Sequence, residues 1–217
     1  MPRGVAIITA GCVLGLSGMS PLFAGFIYDS FQAGNEYSWV RGDFGNFGDT
    51  YLIEAAAFTS PYVCWLSEIE IALGRRYGPN EVIVSLHGDN GGVPGVKLEQ
   101  WSLVDVVQPK DTHGSIIQLD SSARPMLGAG QYWVVVDVPD RAHTGMTWWH
   151  ATAPPVPGRL RALSWGGGPW ELDNYDMAFR VTADVPEPTT GARLLLGFAV
   201  LLLAGAHLRA RQKSRAA

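Results

Sequence analysis

Short segments in which apolar and polar residues alternate dominate the middle of this chain. Residues 67–73 alternate without a break. One face of this segment carries Ile69, Ile71 and Leu73. The other face carries Glu68 and Glu70. A period of two predicts a β-strand with one face buried and the other facing water.

The same period recurs along the chain. Residues 82–86 place three apolar side chains on one face, at Val82, Val84 and Leu86. Further strands are predicted at residues 55–58, 96–99, 115–119, 131–138, 146–152 and 176–182. Gly, Pro and Asp separate these segments, and no convincing amphipathic helix lies among them. The pattern predicts an all-β domain over residues 25–183, an antiparallel, jelly-roll-like β-sandwich, with loops and one short strand over residues 25–51.

The C-terminal pattern is different. Residues 184–193 contain Pro186 and Pro188, which fix φ and remove two backbone donors, so this linker is predicted to be extended. Residues 194–208 carry no charge and are rich in Leu. A helix of this length spans about 22 Å, short of the roughly 30 Å hydrocarbon core, so the bilayer must thin or flanking Arg side chains must snorkel.

Four cations follow this apolar segment, at Arg209, Arg211, Lys213 and Arg215. They predict a transmembrane helix over residues 194–208 and a basic cytoplasmic tail over residues 209–217. The alternative is a buried C-terminal helix of a soluble domain. A basic end with no acidic residue fits a membrane-stop signal better than it fits the end of a buried helix.

The order of these features, Pro186-Glu187-Pro188, an apolar segment and an Arg-rich end, resembles the PEP-CTERM sorting tail of Gram-negative bacteria. The resemblance implies that an exosortase recognises the tail and releases or transfers the upstream protein. It also implies that Pro186, Glu187 and Pro188 form the sorting signal. Arg193 departs from the pattern, because the apolar run of that family often begins at this position.

The N-terminus predicts export. Arg3 precedes an uncharged, mostly apolar segment over residues 5–19, and Ala24 supplies the small residue that signal peptidase needs. Residues 1–24 are therefore predicted to be a signal peptide with a helical core. Removal of this segment takes Cys12 away and leaves Cys64 as the single cysteine, so the exported domain has no intrachain disulfide.

Charge is distributed unevenly. All 20 acidic residues and ten of the 16 basic residues lie between Asp29 and Glu187, which gives this region a net charge of −10. Nucleic-acid binding is not expected, because phosphate neutralisation needs clustered Lys and Arg. The simplest role of the acidic surface is solubility.

A second resemblance covers roughly residues 50–182. Residues 84–95, Val-Ser-Leu-His-Gly-Asp-Asn-Gly-Gly-Val-Pro-Gly, form a strand that ends in a Gly-Pro loop, and residues 130–133, Gly-Gln-Tyr-Trp, begin a later strand. With Phe58 and the strand pair after it, these segments resemble the choice-of-anchor ectodomains of bacterial surface proteins. That family implies a β ectodomain on the cell surface and no defined activity.

Candidate chemistry is sparse. Asp89 and Asn90 offer oxygen ligands for Ca²⁺, but the same residues suffice for a turn, which is the favoured interpretation. Glu68 and Glu70 share a face as a catalytic pair would, yet outward acids are the default on a half-buried strand. No catalytic residue, cofactor or metal is assigned.

Aromatic side chains give the best lead for binding. The candidate residues are Trp148, Trp149, Trp165 and Trp170, which lie within 23 positions. Exposed rings of this kind stack on sugars, whereas buried ones only fill a core. Trp148 and Trp149 are adjacent on a predicted strand, so they point to opposite faces and one of them is expected to be exposed or covered by a loop.

These features together predict an exported, non-enzymatic protein, anchored in the inner membrane before processing and then placed on the cell surface or in the extracellular matrix. A structural or adhesive role is the first expectation. The alternative is a carbohydrate-binding module that recognises exopolysaccharide. The expected partners are an exosortase-type enzyme and the inner membrane.

Overall fold

The computed structural model describes residues 23–31, 34–38, 40–112, 114–152 and 160–185. Thirteen strands run through these residues, with a single 3-10 turn at Lys110–Thr112 and no α-helix in the described ranges. The strands are β1 Phe23–Asp29, β2 Arg41–Asn46, β3 Tyr51–Ser60, β4 Cys64–Tyr77, β5 Glu81–Asp89, β6 Pro94–Val104, β7 Ser115–Asp120, β8 Met126–Leu127, β9 Gly130–Asp137, β10 Gly145–Trp149, β11 Arg161–Trp165, β12 Trp170–Asp173 and β13 Phe179–Val185.

All strand pairs are antiparallel and belong to one curled sheet in the order β1-β13-β4-β10-β2-β3-β9-β5-β6. The long strand β4 pairs with β13 and β10 along one edge and with β7 and β8 along the other. At the other end of the path, β3 pairs with β9, and β11 joins its opposite edge and carries β12. Strands β2 and β10 pair with each other and link the half of the sheet around β4 to the half around β3 and β9.

The curl brings the two halves face to face around the main core. Apolar side chains of β4 and β5 alternate into this core, as their sequence period requires. Phe58 of β3 and Phe179 of β13 meet edge to face, with ring centroids 6.2 Å apart. Because these residues come from opposite halves of the path, their contact holds the curl closed.

Two smaller apolar clusters cover the outer faces. One lies on β3 and β9 and contains Ala55, Ala57, Trp133, Val135 and Ala162. The other lies on β4 and β10 and contains Phe31, Ala72, Trp149 and Ala178. The sheet is therefore buried on both faces where these clusters lie, and its strands there are apolar on both sides.

The all-β, antiparallel prediction is confirmed, as are the inward positions of Ile69, Ile71, Leu73, Val82, Val84 and Leu86. Residues 25–51 hold more strand than predicted, because both β1 and β2 enter this region. Strands β11 and β12 were not predicted. They are short, and their partners are each other and β3.

The two predicted terminal helices lie outside the described residues, as do the sorting signal at residues 186–188 and the basic tail. Within the described ranges, no helix has the length and apolar character needed to cross a membrane. Strand β1 begins at Phe23, inside the predicted signal peptide. Strand β13 continues through Val185, two residues into the predicted linker.

Candidate functional site

Two of the four candidate tryptophans are buried. Trp148 and Trp149 are both 0% exposed, so a sugar-stacking surface that includes them is excluded. They do point to opposite faces, as predicted, but each face is covered. Trp148 belongs to the main core and donates its indole N–H to the carbonyl of Ala178 at 3.1 Å. Trp149 packs beneath Phe31 and neighbouring side chains that follow β1.

Trp165 and Trp170 lie on opposite faces of the β11–β12 hairpin. Trp170 pairs with Ser164, and directly paired residues share a face of the sheet. Trp165 follows Ser164 in the sequence and so points to the other face, away from Trp170. Trp170 packs partly buried against the outer cluster of β3 and β9. The four tryptophans therefore form no common surface, and Trp165 alone remains an exposed candidate.

Trp165 forms an exposed aromatic pair with Phe47. Their ring centroids lie 5.4 Å apart in an edge-to-face arrangement, and the side chains are 41% and 38% exposed. Phe47 stands at the tip of the β2–β3 hairpin, where its N–H donates to the carbonyl of Thr50 at 2.8 Å. The N–H of Gly166 donates to the carbonyl of Tyr51 at 2.8 Å. Both rings are therefore carried on hydrogen-bonded backbone.

A shallow cavity of about 270 Å³ adjoins the same hairpin tip. Its polar lining comes from Asn46, Asp49, Thr50, Tyr51 and Arg141. The guanidinium of Arg141 lies 4.4 Å from the centroid of the Tyr51 ring and forms an ion pair with Asp137. Bonding to Asp137 also raises the pKa of Arg141. Neither Phe47 nor Trp165 lines this cavity, and the pairing of Trp165 with Leu52 places its ring on the face of β3 opposite Tyr51.

The candidate calcium residues serve the loop itself. Asp89 accepts hydrogen bonds from the indole N–H of Trp133 at 2.8 Å, from the Gln131 amide at 3.2 Å and from the N–H of Gly92 at 3.1 Å. Gly91 and Gly92 have φ of 67° and 90°, which favour glycine. Because N–H donors already surround the carboxylate, the arrangement favours the turn over a calcium site.

The Trp133 contact predicts a stability effect. Replacement Asp89→Ala removes the acceptor of an indole N–H whose side chain is 0% exposed, and we expect a loss of about 1–2 kcal/mol in the free energy of unfolding. Urea unfolding followed by tryptophan fluorescence measures it. Asn90→Ala, in the same loop, is the matched control and is expected to change the midpoint little. Equal losses in the two variants would contradict the assigned role.

A buried carboxyl group forms the centre of a separate polar cluster. Glu54 of β3 is 0% exposed, and burial raises its pKa to about 8, although the positive charge of Arg161 opposes the shift. The Nε atom of Arg161 lies 3.2 Å from Glu54 Oε1. Gly42 leaves room for this carboxyl, because a Cβ there would lie 2.2 Å from the same oxygen.

Arg161 connects Glu54 to two further side chains. Its Nη1 lies 3.3 Å from His150 Nε2, and its guanidinium lies 5.0 Å from the centroid of the Tyr175 ring. Burial, with a further contribution from Arg161, lowers the pKa of His150 to about 4. The ring is therefore neutral near pH 7, and the Nε2 that faces Arg161 acts as an acceptor.

Three carboxyl groups that could be considered for hydrolysis, those of Glu54, Glu68 and Glu70, have partners within the fold. Glu54 has a shifted pKa, but a fully buried carboxyl cannot reach a polymeric substrate. Glu70 forms an ion pair with Arg180 across the β4–β13 pair at 2.8 Å, and Glu68 accepts from Gln118 at 2.7 Å. The predicted pair Glu68 and Glu70 thus supports the sheet from its outer face.

Within the described residues, no three His, Cys, Asp or Glu side chains cluster as metal ligands would. Cys64 is buried and unpaired with any other cysteine. Its thiol lies 3.5 Å from Ser60 Oγ, and burial raises its pKa. Such a thiol is a small core residue rather than a nucleophile.

Comparison with known proteins gives little. No family model matches the chain, and no curated protein matches it. One similar solved structure comprises the cysteine protease and lectin-like domains of Cwp84, a surface layer associated protein of Clostridium difficile. It is 12% identical with a TM-score of 0.40, and the match covers 63% of this chain and 33% of that one. A likeness at this level supports neither a shared activity nor a shared ligand.

Proposed function

We propose that this chain is an exported, surface-anchored protein of the extracellular matrix, with a structural or adhesive role and no enzymatic activity. The observation that carries the proposal is the order of features at the C-terminus. The last strand of the domain ends at Val185, and Pro186-Glu187-Pro188, the apolar segment and the basic end follow at once. A folded β domain joined directly to such a tail is what a sorting enzyme would handle.

The proposal includes the finer architecture. The curled sheet is taken as a jelly-roll-like β-sandwich, preceded by a signal helix within residues 1–24 and followed by a transmembrane helix over residues 194–208. An exosortase-type enzyme and the inner membrane are the partners. The protein sits in the inner membrane before processing and at the cell surface or in the matrix afterwards.

The proposal of a non-enzymatic role draws on the structural use of three acidic side chains. Glu99 is 7% exposed and accepts hydrogen bonds from the N–H groups of Ser122 and Ala123 at 2.8 and 3.0 Å. Asp89 and Glu70 are likewise bonded to neighbouring groups of the fold. Each of these carboxylates serves local structure, and structural use accounts for it fully.

Processing is tested by intact mass. Expressed in a Gram-negative host that contains an exosortase, the wild-type chain is expected to reach the cell surface without its signal peptide and without its C-terminal tail. Replacement Glu187→Ala in the sorting signal is expected to leave the tail attached and the protein in the inner-membrane fraction.

The control is Glu171→Ala, which removes an exposed carboxylate inside the β domain and is expected to be processed like the wild type. Recovery of the wild-type chain from the soluble cytosol, with the mass of the complete sequence, would overturn the proposal. Identical processing of Glu187→Ala and wild type would remove the role assigned to the sorting signal.

A second candidate function is carbohydrate binding, with exopolysaccharide as the ligand. The observation that favours it is the exposed aromatic pair formed by Trp165 and Phe47. Large exposed aromatic rings supply the apolar stacking area that a sugar ring needs. This function is compatible with the first, because an adhesive surface protein needs something to adhere to.

A further inference from the structure

Several loops and strand ends meet at the end of the β domain from which the chain continues into the tail. Strand β13 ends at Val185, and its Asp184 pairs with Trp65, the second residue of β4. On the other edge of β4, Trp65 pairs with Met126. Residues 61–63, which connect β3 to β4, come directly before this row of paired residues. The connection and Met126 therefore lie beside the point where the chain leaves the domain.

This end of the domain exposes apolar side chains. Tyr62, Val63 and Met126 are 41%, 50% and 65% exposed, and Ala129, in the turn before β9, is exposed as well. The first residue of β9 pairs with the last residue of β3, which places this turn at the same end. We call Tyr62, Val63, Met126 and Ala129 the exit surface. Single exposed apolar residues are ordinary, whereas a group of them at one place marks an interaction site.

Charge is missing from the two segments that carry the exit surface. Residues 55–67 and 125–136 contain no acidic or basic residue, although the region that contains them has a net charge of −10. Two acids that lie nearby are bonded within the fold, since Asp184 forms an ion pair with Arg124 and Asp89 accepts an indole N–H. An uncharged apolar end on an acidic domain suits contact with lipid, because anionic headgroups repel the rest of the surface.

The length of the linker decides which end of the domain can reach the bilayer. Residues 186–193 separate Val185 from the apolar segment, and these eight residues span about 25 Å when extended, at roughly 3.1 Å each. Strand β4 has 14 residues, so its two ends lie about 40 Å apart. Contact of the opposite end with the bilayer would need a linker that spans this distance. The exit surface is therefore the end that the linker allows the lipid to meet.

We propose that the exit surface docks on the lipid surface of the bilayer that holds the apolar segment. Tyr62 lies at the level of the headgroups, where aromatic side chains with a polar tip are preferred. Val63 and Met126 enter the boundary between the headgroups and the acyl chains. This inference rests on the proposed membrane anchor and adds a second contact between the protein and the membrane.

Docking in this way leaves the aromatic pair of Phe47 and Trp165 accessible. Trp165 pairs with Leu52, the second residue of β3, whereas the exit surface adjoins the last residue of that strand. The two surfaces therefore lie at opposite ends of β3, and a ligand can reach the aromatic pair while the domain rests on lipid.

The contact is tested with the full-length chain, in a Cys12→Ser background, incorporated into nanodiscs. The lipids are phosphatidylethanolamine and phosphatidylglycerol, a fraction of which carries a nitroxide quencher on the headgroup. A bimane label is attached at Ala129→Cys or, as the distal control, at Val104→Cys, which is 57% exposed at the other end of the domain. Cys64 is 0% exposed and takes no label. We expect the label at position 129 to lose most of its emission and the label at position 104 to keep nearly all of it.

The role of the apolar side chains is tested with the same label at position 129. Replacement Val63→Ser together with Met126→Ser is expected to restore most of the lost emission, because the surface loses apolar area that lipid would cover. The matched control is Val104→Ser together with Val106→Ser, which changes two exposed apolar side chains at the opposite end and is expected to leave the quenching unchanged. Circular dichroism shows that both variants are folded.

Flotation of the chain with lipid separates the two levels of the proposal. A chain that does not float lacks the membrane anchor, which would overturn both the anchor and the docking. A chain that floats but is quenched equally at positions 129 and 104, or equally with and without the serine replacements at Val63 and Met126, keeps the anchor and overturns the docking. A dimer in detergent micelles that these replacements convert to a monomer would assign the exit surface to a second copy of the chain.

Discussion

Replacement Glu54→Gln is expected to make the protein more stable than the wild type above about pH 7. The wild-type carboxyl is fully buried with a pKa raised from 4.5 to about 8. Above pH 4.5 the unfolded chain loses this proton, while the folded chain keeps it up to about pH 8. Wild-type stability therefore falls as the pH rises through this window, by up to about 1.4 kcal/mol per pH unit.

His150 changes the stability in the opposite direction over part of the pH range. Its pKa is lowered from 6.5 to about 4, so its contribution to stability is lost as the pH falls below 6.5. The interval from pH 6.5 to 8 lies above the His150 range and inside the Glu54 range. The difference between the Glu54→Gln and wild-type curves in that interval isolates the buried carboxyl.

The measurement is urea unfolding at several pH values, followed by tryptophan fluorescence. Glu171→Gln, which changes an exposed carboxyl on β12, is the control and is expected to follow the wild-type curve. Parallel curves for Glu54→Gln and the wild type between pH 6.5 and 8 would show that the buried group is ionised there. Loss of the Arg161 ion pair would then make the glutamine variant the less stable protein.

Replacement Gly45→Ala is expected to destabilise the protein by about 3 kcal/mol or more, because steric and conformational costs combine. Gly45 has a φ of 91°, which L-residues rarely adopt. A Cβ there would lie 2.3 Å from the carbonyl oxygen of Thr144. That oxygen accepts the N–H of Asn46 at 2.7 Å, so relief of the clash would cost a hydrogen bond.

Replacement Gly48→Ala separates the steric cost from the conformational cost. Gly48 has a φ of 76°, but a Cβ there would meet no atom within 4 Å. Only the conformational cost of about 1 kcal/mol is therefore expected. Urea unfolding of both variants measures the difference. Similar losses of stability in the two variants would mean that the backbone at Thr144 moves away from the new Cβ without an energetic cost.

The sequence predicts strands well where alternation matches a one-sided environment. Strand β4 contains such a segment at residues 67–73, and its apolar face enters the main core as expected. Strand β2, Arg41–Asn46, has one large apolar residue and two glycines, so it shows no period. It is held by pairing with β10 and β3, and strand preference of this kind depends on neighbours rather than on local sequence.

The candidate site was harder to predict, for a physical reason. Adjacent Trp148 and Trp149 must face opposite ways, but whether either face is open depends on what covers the sheet. Phe31, from the distant N-terminal region, covers one of those faces. Phe47 was missed because an isolated aromatic residue in a Gly-rich segment gives no sign of its contact with Trp165. A glycine-rich hairpin tip with an aromatic residue was the available signal.

The buried Glu54 was also missed. It lies within an apolar segment, Tyr51–Ser60, where alternation alone does not distinguish a core position from an exposed one. Its burial depends on Gly42 and on Arg161, which are distant in sequence. The pairing of β3 with β11 is what brings the charge of Arg161 beside the carboxyl group of Glu54.

The position of β13 has a mechanical consequence. This strand ends at Val185, where the tail begins, and it is flanked by β1 on one side and β4 on the other. Interstrand hydrogen bonds run across the strands, so traction on the tail directed along β13 loads both ladders in shear, and their bonds resist together instead of opening one by one. Tension on the tail would therefore be borne by a strand that is paired on both of its edges.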